Sequence, residues 1–297
     1  MTRSRITLSQ LRAFEALLRT KSFSKAAEDL SISQPSVSNQ IRALERLCGA
    51  PLIHRIGHVI EPAPLAQALT SKIRTAVSLI NDIERIILDG RDMVSGELRV
   101  GYSTYQYAIP IIARFVEHFP GVQIDAISMA SLDLLEGLNS ASIDVALITA
   151  QDPPEDLFAR KILDTRIVLM APKSHALARQ RSVTWDEIRD VPILRRESAS
   201  MTRVIFDAAA QRAGVSPRRF LSLGSWGSMR AAVESGMGTC IALREEIEHR
   251  DNVAVLEIDD PQLWASHYVV CRPELAPAAS IQEFFKLALA QPRPGSV

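Results

Sequence analysis

The run from Ser22 to Leu47, SFSKAAEDLSISQPSVSNQIRALERL, constrains this chain most, because it reads as two short helices joined by a tight turn. Ser22 is placed to cap the first helix. Its Phe23, Ala26, Ala27 and Leu30 fall at helical spacing and leave Lys25, Glu28 and Asp29 for solvent. Ser31, Ile32 and Ser33 make the turn. Ser33 can accept from the free amides of the next helix, and Pro35 is tolerated in a first turn that needs no intrahelical donor. Val37, Ile41, Leu44 and Leu47 form the buried stripe of that second helix, so Gln34, Pro35, Ser38, Asn39 and Arg42 are left on the opposite face. Short polar side chains at the N-terminal end of an exposed helix suit entry into a major groove. A plain amphipathic hairpin with a solvated polar face fits the same spacing, so the flanking sequence has to decide.

Before the hairpin, TLSQLRAFEALLRTKS sets Thr7 and Gln10 in a capping-box relation. Leu11, Phe14, Leu17 and Leu18 follow as an apolar face that can cover the two helices. After it, GAPLIHRIGHVIEPAP reads as a two-stranded wing. The patterns F-x-x-A-A-x-x-L at Phe23–Leu30 and S-Q-P-x-x-S-x-x-I-x-x-L-E at Ser33–Glu45 resemble the winged helix-turn-helix of LysR-type transcriptional regulators. By that resemblance Gln34, Pro35, Ser38 and Asn39 approach bases or backbone in the groove, with Ser33, Ser36 and Arg42 beside them. Arg55 in the wing meets phosphate. His58 stands where the wing often carries a second Arg, which bears on the phosphate grip at neutral pH. Ala63 and Ala66 replace the Thr and Gly that commonly surround a Pro like Pro64, so the following helix is expected to be poorly capped.

Charge is distributed in keeping with this. The chain of 297 residues is formally neutral, yet residues 1–62 hold 9 Lys and Arg against 5 Asp and Glu, and residues 91–297 hold 22 against 26. A basic head on a slightly acidic body fits a nucleic-acid module with a different task behind it. The length suits two or three domains. No stretch of about 18 apolar residues occurs and the N-terminus lacks the apolar core of a secretory signal, so a cytoplasmic protein without a membrane span is expected. Cys48, Cys240 and Cys271 are odd in number and far apart, as buried reduced thiols would be; no disulfide, metal or cofactor is expected.

From Ala66, the residues Leu69, Ile73, Ala76, Ile80, Ile83 and Ile87 recur in steps of three and four, the seam of a coiled coil over three heptads. A lone amphipathic helix packed on its own domain gives the same pattern; the position directly behind a DNA-binding head favours pairing of two chains. The helix should end near Asp89 and Gly90, with RDMVSGE as a hinge. Beyond it, short apolar runs alternate with helical periods, as in an α/β domain with a largely parallel sheet. Strands are expected at 98–101, 122–127, 145–148, 166–171, 193–195, 220–223, 239–243, 253–258 and 267–271. Helices are expected at 107–119, 132–138, 203–213, 228–234 and 280–289.

LRVGYS…IPIIARFVEHFPGVQI, IDVALI and VLMAPKSHALA are similar to the effector-binding part of the same family. The fold so implied is an all-α winged helix-turn-helix head, a coiled-coil linker helix, and an α/β periplasmic-binding-protein-like domain of two subdomains with a cleft between them. The corresponding boundaries are 1–63, 64–92 and 93–297, with subdomain I at 93–165 and 267–297 and subdomain II at 166–266. The partners implied are double-stranded promoter DNA, a second copy or three further copies of the chain, and RNA polymerase.

Small anions are gripped in such clefts at helix N-termini, where free amides and the helix dipole favour negative charge. Four stretches qualify: Ser103 and Thr104; Thr149; Ser200, Thr202 and Arg203; and Ser225 with Trp226. Each alone is an ordinary helix cap, and Trp226 alone is ordinary core. Ser200, Thr202 and Arg203 match an S-x-T-R pattern of the family, which implies a carboxylate, sulfate, phosphate or phosphonate effector. LRRESASMTR also resembles regulators associated with aminoethylphosphonate breakdown. An enzyme acting in the cleft is disfavoured, since none of these serines has a His and an acid at recognisable spacing and Gly236-x-Gly238 is too short for a dinucleotide loop. A transport receptor is disfavoured by the DNA-binding head.

Overall fold

The structure, a computed structural model, describes residues 6–56, 59–89, 96–248 and 252–290. It falls into two compact units that divide at Gly96.

The first unit begins with α1 (Leu8–Thr20), where Thr7 and Gln10 form the reciprocal capping box. α2 (Phe23–Asp29) is capped by Ser22 and α3 (Gln34–Cys48) by Ser33, with Pro35 in its first turn. Ser31 takes a left-handed φ of 53°, which turns the chain sharply enough for α3 to cross α2. Phe14, Leu17, Ala26, Val37, Ile41 and Leu44 meet in one core; Leu47 is only half-buried. The wing pairs β1 (Ile53–Ile56) antiparallel with β2 (Val59–Pro62), and Glu45 of α3 anchors it by accepting from the Leu52 amide. His58 lies outside the described residues, and so does the hinge at 90–95.

α4 (Pro64–Asp89) is one unbroken helix of 26 residues. Its first half belongs to the head: Ala66, Ile73 and Val77 are buried in the core of α1 to α3, with Leu69 packed against it. The seam from Ala66 onward is therefore divided. Ala66, Leu69 and Ile73 already face their own domain, and Val77 rather than Ala76 is the buried residue of the next turn. A straight helix drifts by about 20° per heptad from a 3.5-residue stripe, which carries Ala76 away from the face set by Ala66 and Ile73 and leaves Val77 nearer to it. Ile83 and Ile87 are left 54% and 74% exposed.

In the second unit, β3 (Gly96–Tyr102), α5 (Tyr105–His118), β4 (Val122–Ser128), α6 (Ser131–Asn139) and β5 (Val145–Ala150) come first. β3 runs parallel to β5. The next strand is the surprise. β6 (Phe158–Pro172) is 15 residues long, where the sequence pattern marked only 166–171. Then follow β7 (Ser182–Val183), the short α7 (Trp185–Ile188), β8 (Ile193–Arg195), α8 (Met201–Arg212), β9 (Arg219–Ser222), α9 (Trp226–Glu234) and β10 (Thr239–Leu243). β11 (Val253–Ile258), β12 (Trp264–Cys271) and α10 (Ala279–Leu289) complete it.

β6 pairs antiparallel with β12 along Phe158–Arg166, then antiparallel with β10 and β11 from Ile167 onward. One strand thus serves two sheets, joining β4-β3-β5-β12 to β10-β8-β9. The sheet is mixed rather than largely parallel, because β6 and the returning β12 run against their neighbours. Each half has its own core: Leu134, Leu138, Ile148 and Val270 on one side, Ile167, Phe206, Ile241 and Leu256 on the other. Arg272 is buried beside α6 in the first half, donating to the carbonyls of Leu138 and Ile143 while Arg99 holds Asp144 bidentately. Gly101 has no side chain because a Cβ there would lie 2.5 Å from Leu134 Cδ2. Among the described residues no helix is long and apolar enough to cross a membrane.

Candidate effector site and DNA-binding face

On the head, the stripe of Val37, Ile41 and Leu44 points inward, so the opposite face of α3 is open to solvent. Ser33, Gln34, Pro35, Asn39 and Arg42 are exposed; Ser36 and Ser38 are half-exposed beside them. The hydroxyls of Ser33 and Ser36 are 2.8 Å apart and Ser33 also caps the helix, which ties them to local structure. Gln34 accepts from Ser24 of α2 at 3.2 Å. Asn39 and Arg42 have no such tie in the described contacts, and they stand one turn apart on the exposed face. Arg55 lies in β1 of the wing.

In the second unit, polar side chains from five elements are gathered around one strand pair. β12 pairs with β5 so that His267 lies opposite Thr149, and the Thr149 hydroxyl sits 3.3 Å from His267 Nδ1. The Thr149 amide donates to Ser131 Oγ at the start of α6. Ser103, at the end of β3, is 3.5 Å from the Thr149 hydroxyl and donates to the Leu147 carbonyl. Tyr107, in the first turn of α5, packs its ring on the His267 imidazole with centroids 4.4 Å apart.

From the other half, α8 lies against β5. The Leu132 amide donates to the Ala199 carbonyl just ahead of α8, and Gln106 Nε2 donates to the Glu246 carbonyl. These two bonds join the halves across the cleft, bringing the Ser200–Thr202 turn next to the Thr149 cluster.

The caps separate the candidate stretches. Ser225 accepts from the Ser228 amide of α9 at 3.2 Å, as an ordinary cap does, and Trp226 is packed in the core with Met229, Val233 and Cys240. Thr104 and Ser200 occupy the same N-cap position on α5 and α8, are buried, and do not cap their own helices. Their hydroxyls and the first amides of two helices are thus uncommitted, which is the arrangement that favours an anion. Thr202 is buried one turn position on. Arg203 is turned elsewhere: Nη1 donates to the Arg196 carbonyl at 2.7 Å and Nε lies 3.6 Å from Asp207, which also pairs with Arg195. The i, i+4 relation of Arg203 and Asp207 explains it, since the pair shares one face of α8. Arg196 is itself paired with the buried Glu246 at 3.1 Å.

A cavity of about 460 Å³ opens beside this cluster, lined by Lys161, Asp164, Thr165, Arg166, Arg244, Glu245 and Trp264. Its charges are engaged locally: Lys161 with Asp164, Arg166 with the carbonyls of Asp260 and Pro261, Arg244 with Glu257.

Family models match both parts of the chain. Residues 8–67 fit "Bacterial regulatory helix-turn-helix protein, lysR family", and residues 91–293 fit "LysR substrate binding domain". The chain belongs to the LysR family. It is 28% identical over 291 residues to the HTH-type transcriptional regulator CbbR of Rhodospirillum rubrum, covering 96% of this chain and 97% of that one. Full-length OxyR from Pseudomonas aeruginosa shares the fold with a TM-score of 0.81 at 17% identity, over 96% of this chain and 95% of that one. The Synechocystis PCC6803 CcmR regulatory domain in complex with 2-PG is 25% identical with a TM-score of 0.60, over 66% of this chain and 97% of that one.

As a LysR-type regulator, the protein is a transcription factor rather than an enzyme. The thiols fit that reading: burial pushes Cys271 up to about 12 and Cys240 further still, so neither forms a reactive thiolate near neutral pH. The residues that sequence reasoning missed are His267, Tyr107, Gln106 and the Arg196–Glu246 pair. A His within WASHYVVC, an otherwise apolar strand, was the available signal.

Burial holds the His267 imidazole neutral by lowering its pKa to about 4. The unfolded chain binds that proton at about 6.5, so between these values the unfolded state takes up more protons and stability falls with pH. Lowering pH from about 6.5 to 4.5 should cost the wild type about 2 kcal/mol through this residue alone. His267→Asn should lose that component. Chemical denaturation of both proteins across this range checks it; parallel curves would show that His267 does not titrate on unfolding.

Proposed function

We propose that the protein binds a promoter site as a dimer or tetramer and responds to a small anionic effector held between the two halves of its second unit. The head spans 1–63, the linker 64–92 and the effector domain 93–297. In the groove, Gln34, Pro35, Ser38, Asn39 and Arg42 of α3 read bases and backbone, and Arg55 meets phosphate. Dimerisation uses the exposed end of α4 as a short coiled-coil seam of Ile80, Ile83 and Ile87. A tetramer needs a second self-complementary surface. The exposed apolar stripe of Tyr105, Ile109 and Val116 along α5 supports one.

The observation that carries the effector reading is the pair of buried N-cap residues, Thr104 and Ser200, whose side chains do not cap α5 and α8. Ser103, Thr149 and Thr202 add hydroxyl donors. Carboxylate, sulfate, phosphate and phosphonate all fit such a donor set. Because the ligand touches both halves, it binds one relative arrangement better than another, and only such a difference shifts their populations.

Thr202→Ala removes one donor to a charged group, so affinity should fall about tenfold or more. Calorimetry with 2-PG, inorganic phosphate and sulfate, on wild type and variant, tests it. Unchanged affinity for a probe that binds would remove Thr202 from the site, and basal DNA binding should stay as it was.

A further inference from the structure

Buried polar atoms in folded proteins nearly always have a hydrogen-bond partner. Around Thr149 three do not: His267 Nε2, the Tyr107 hydroxyl and Gln106 Oε1. His267 is 3% exposed and Tyr107 equally buried. The two rings are in tilted contact, with centroids 4.4 Å apart and planes at 40°, so the two side chains border one place. Leaving such atoms unmatched is costly, and their clustering beside two uncommitted helix caps marks where a ligand's polar end goes.

The direction of the hydrogen bonds fixes what that end must offer. Ser103 Oγ spends its proton on the Leu147 carbonyl at 3.4 Å, so in the 3.5 Å contact with Thr149 it must accept. If the Thr149 proton points to Ser103, the Thr149 oxygen is left to accept from His267 Nδ1–H across 3.3 Å, and this is the tautomer we adopt. A neutral imidazole has one N–H. With it on Nδ1, Nε2 presents a lone pair, and burial keeps the ring neutral at physiological pH because its pKa lies near 4.

We propose that His267 is a specificity-determining effector contact, whose Nε2 accepts a hydrogen bond and so selects a ligand carrying a proton there: a hydroxyl or a singly protonated phosphoryl or phosphonyl oxygen, over a fully deprotonated sulfate. This rests on the cleft described above. The hydroxyl donors and helix amides hold the anion's other oxygens and are indifferent to which anion it is; the unmatched acceptors, His267 Nε2 and with it Gln106 Oε1, oppose a lone pair to a lone pair when sulfate enters. Discrimination of this kind is large because a mismatched buried pair cannot be relieved by water.

The test uses the full-length protein at pH 6.5, where every inorganic phosphate ion carries at least one proton. Phosphate and sulfate are titrated by calorimetry, with 2-PG as a third probe. Wild type should prefer phosphate to sulfate by about tenfold. His267→Gln, whose amide offers a donor as readily as an acceptor, should narrow that preference to within about threefold. Nitrogen-15 spectra of histidine-labelled wild type should show His267 Nε2 unprotonated and shifting on addition of phosphate, while the exposed His118 stays still; this arm stands even where the variant folds poorly.

Sulfate bound as tightly as phosphate in the wild type, a protonated Nε2, or a preference unchanged in His267→Gln overturns the inference and leaves the cleft intact. Failure of all three probes to bind overturns the cleft reading and this inference with it.

Discussion

Replacing Ile83 with Lys and Ile87 with Glu should lower promoter affinity by roughly 100- to 10,000-fold, the range by which linking two binding modules exceeds one. The first half of α4 is anchored by Ala66, Ile73 and Val77 in the head's own core, and Arg12 of α1 pairs with Glu84 and bonds Asn81. Neither substitution touches that packing. What they alter is an apolar surface with nothing on it: Ile83 and Ile87 are among the most exposed large hydrophobic residues described, and they stand one turn apart. Burying a charge there without a partner opposes association. The expected result is a folded protomer with an unchanged melting profile that sediments as a monomer at low micromolar concentration and binds single half-sites weakly. The same oligomer in variant and wild type would place dimerisation elsewhere.

Ile83 also shows how far sequence reads this protein. The hairpin of the head was legible because each signal there is local: Ser22, Ser33 and Gly49 at helix ends, and apolar residues three and four apart between them. The division of α4 was not. Heptad spacing does not state whether a stripe meets its own domain or another chain, and here it meets its own domain first.

β6 was only partly legible for a different reason. Its first half, FARKILDT, runs along one neighbour, β12, with much of its length half-exposed, so charged residues interrupt the apolar run by which strands are recognised. Only where β10 and β11 flank it on both sides does the sequence become the continuous IVLMA.

The effector cluster divides in the same way. Thr104 and Ser200 were visible as caps, because a hydroxyl before a helix is a local pattern. That they do not cap their helices is a property of the fold. Thr149 and His267 are 118 positions apart and meet only through the register of β5 and β12. Arg203 drew attention through its motif, yet Asp207 four residues later already offered it a partner on the same helix face.

Ser38→Ala together with Asn39→Ala should reduce discrimination between the cognate promoter site and random DNA, each lost base-edge contact costing about 1 to 3 kcal/mol. The two side chains lie on the side of α3 opposite Val37, Ile41 and Leu44, so their removal leaves the core and the Ser33 cap as they were. Alanine also favours helix over serine and asparagine by a few tenths of a kcal/mol. A fall in stability therefore would not explain a fall in binding. Binding to random DNA should change little, because the non-specific part of the affinity comes from phosphate contacts, the role proposed above for Arg42 and Arg55. Arg42→Ala should do the reverse, weakening cognate and random DNA alike and flattening the salt dependence by about one unit of slope. Titrating both duplexes at several salt concentrations separates these patterns. If the double alanine variant keeps full discrimination while Arg42→Ala loses it, the groove is read from the far end of α3, and the short polar residues at its start serve only to let the backbone approach.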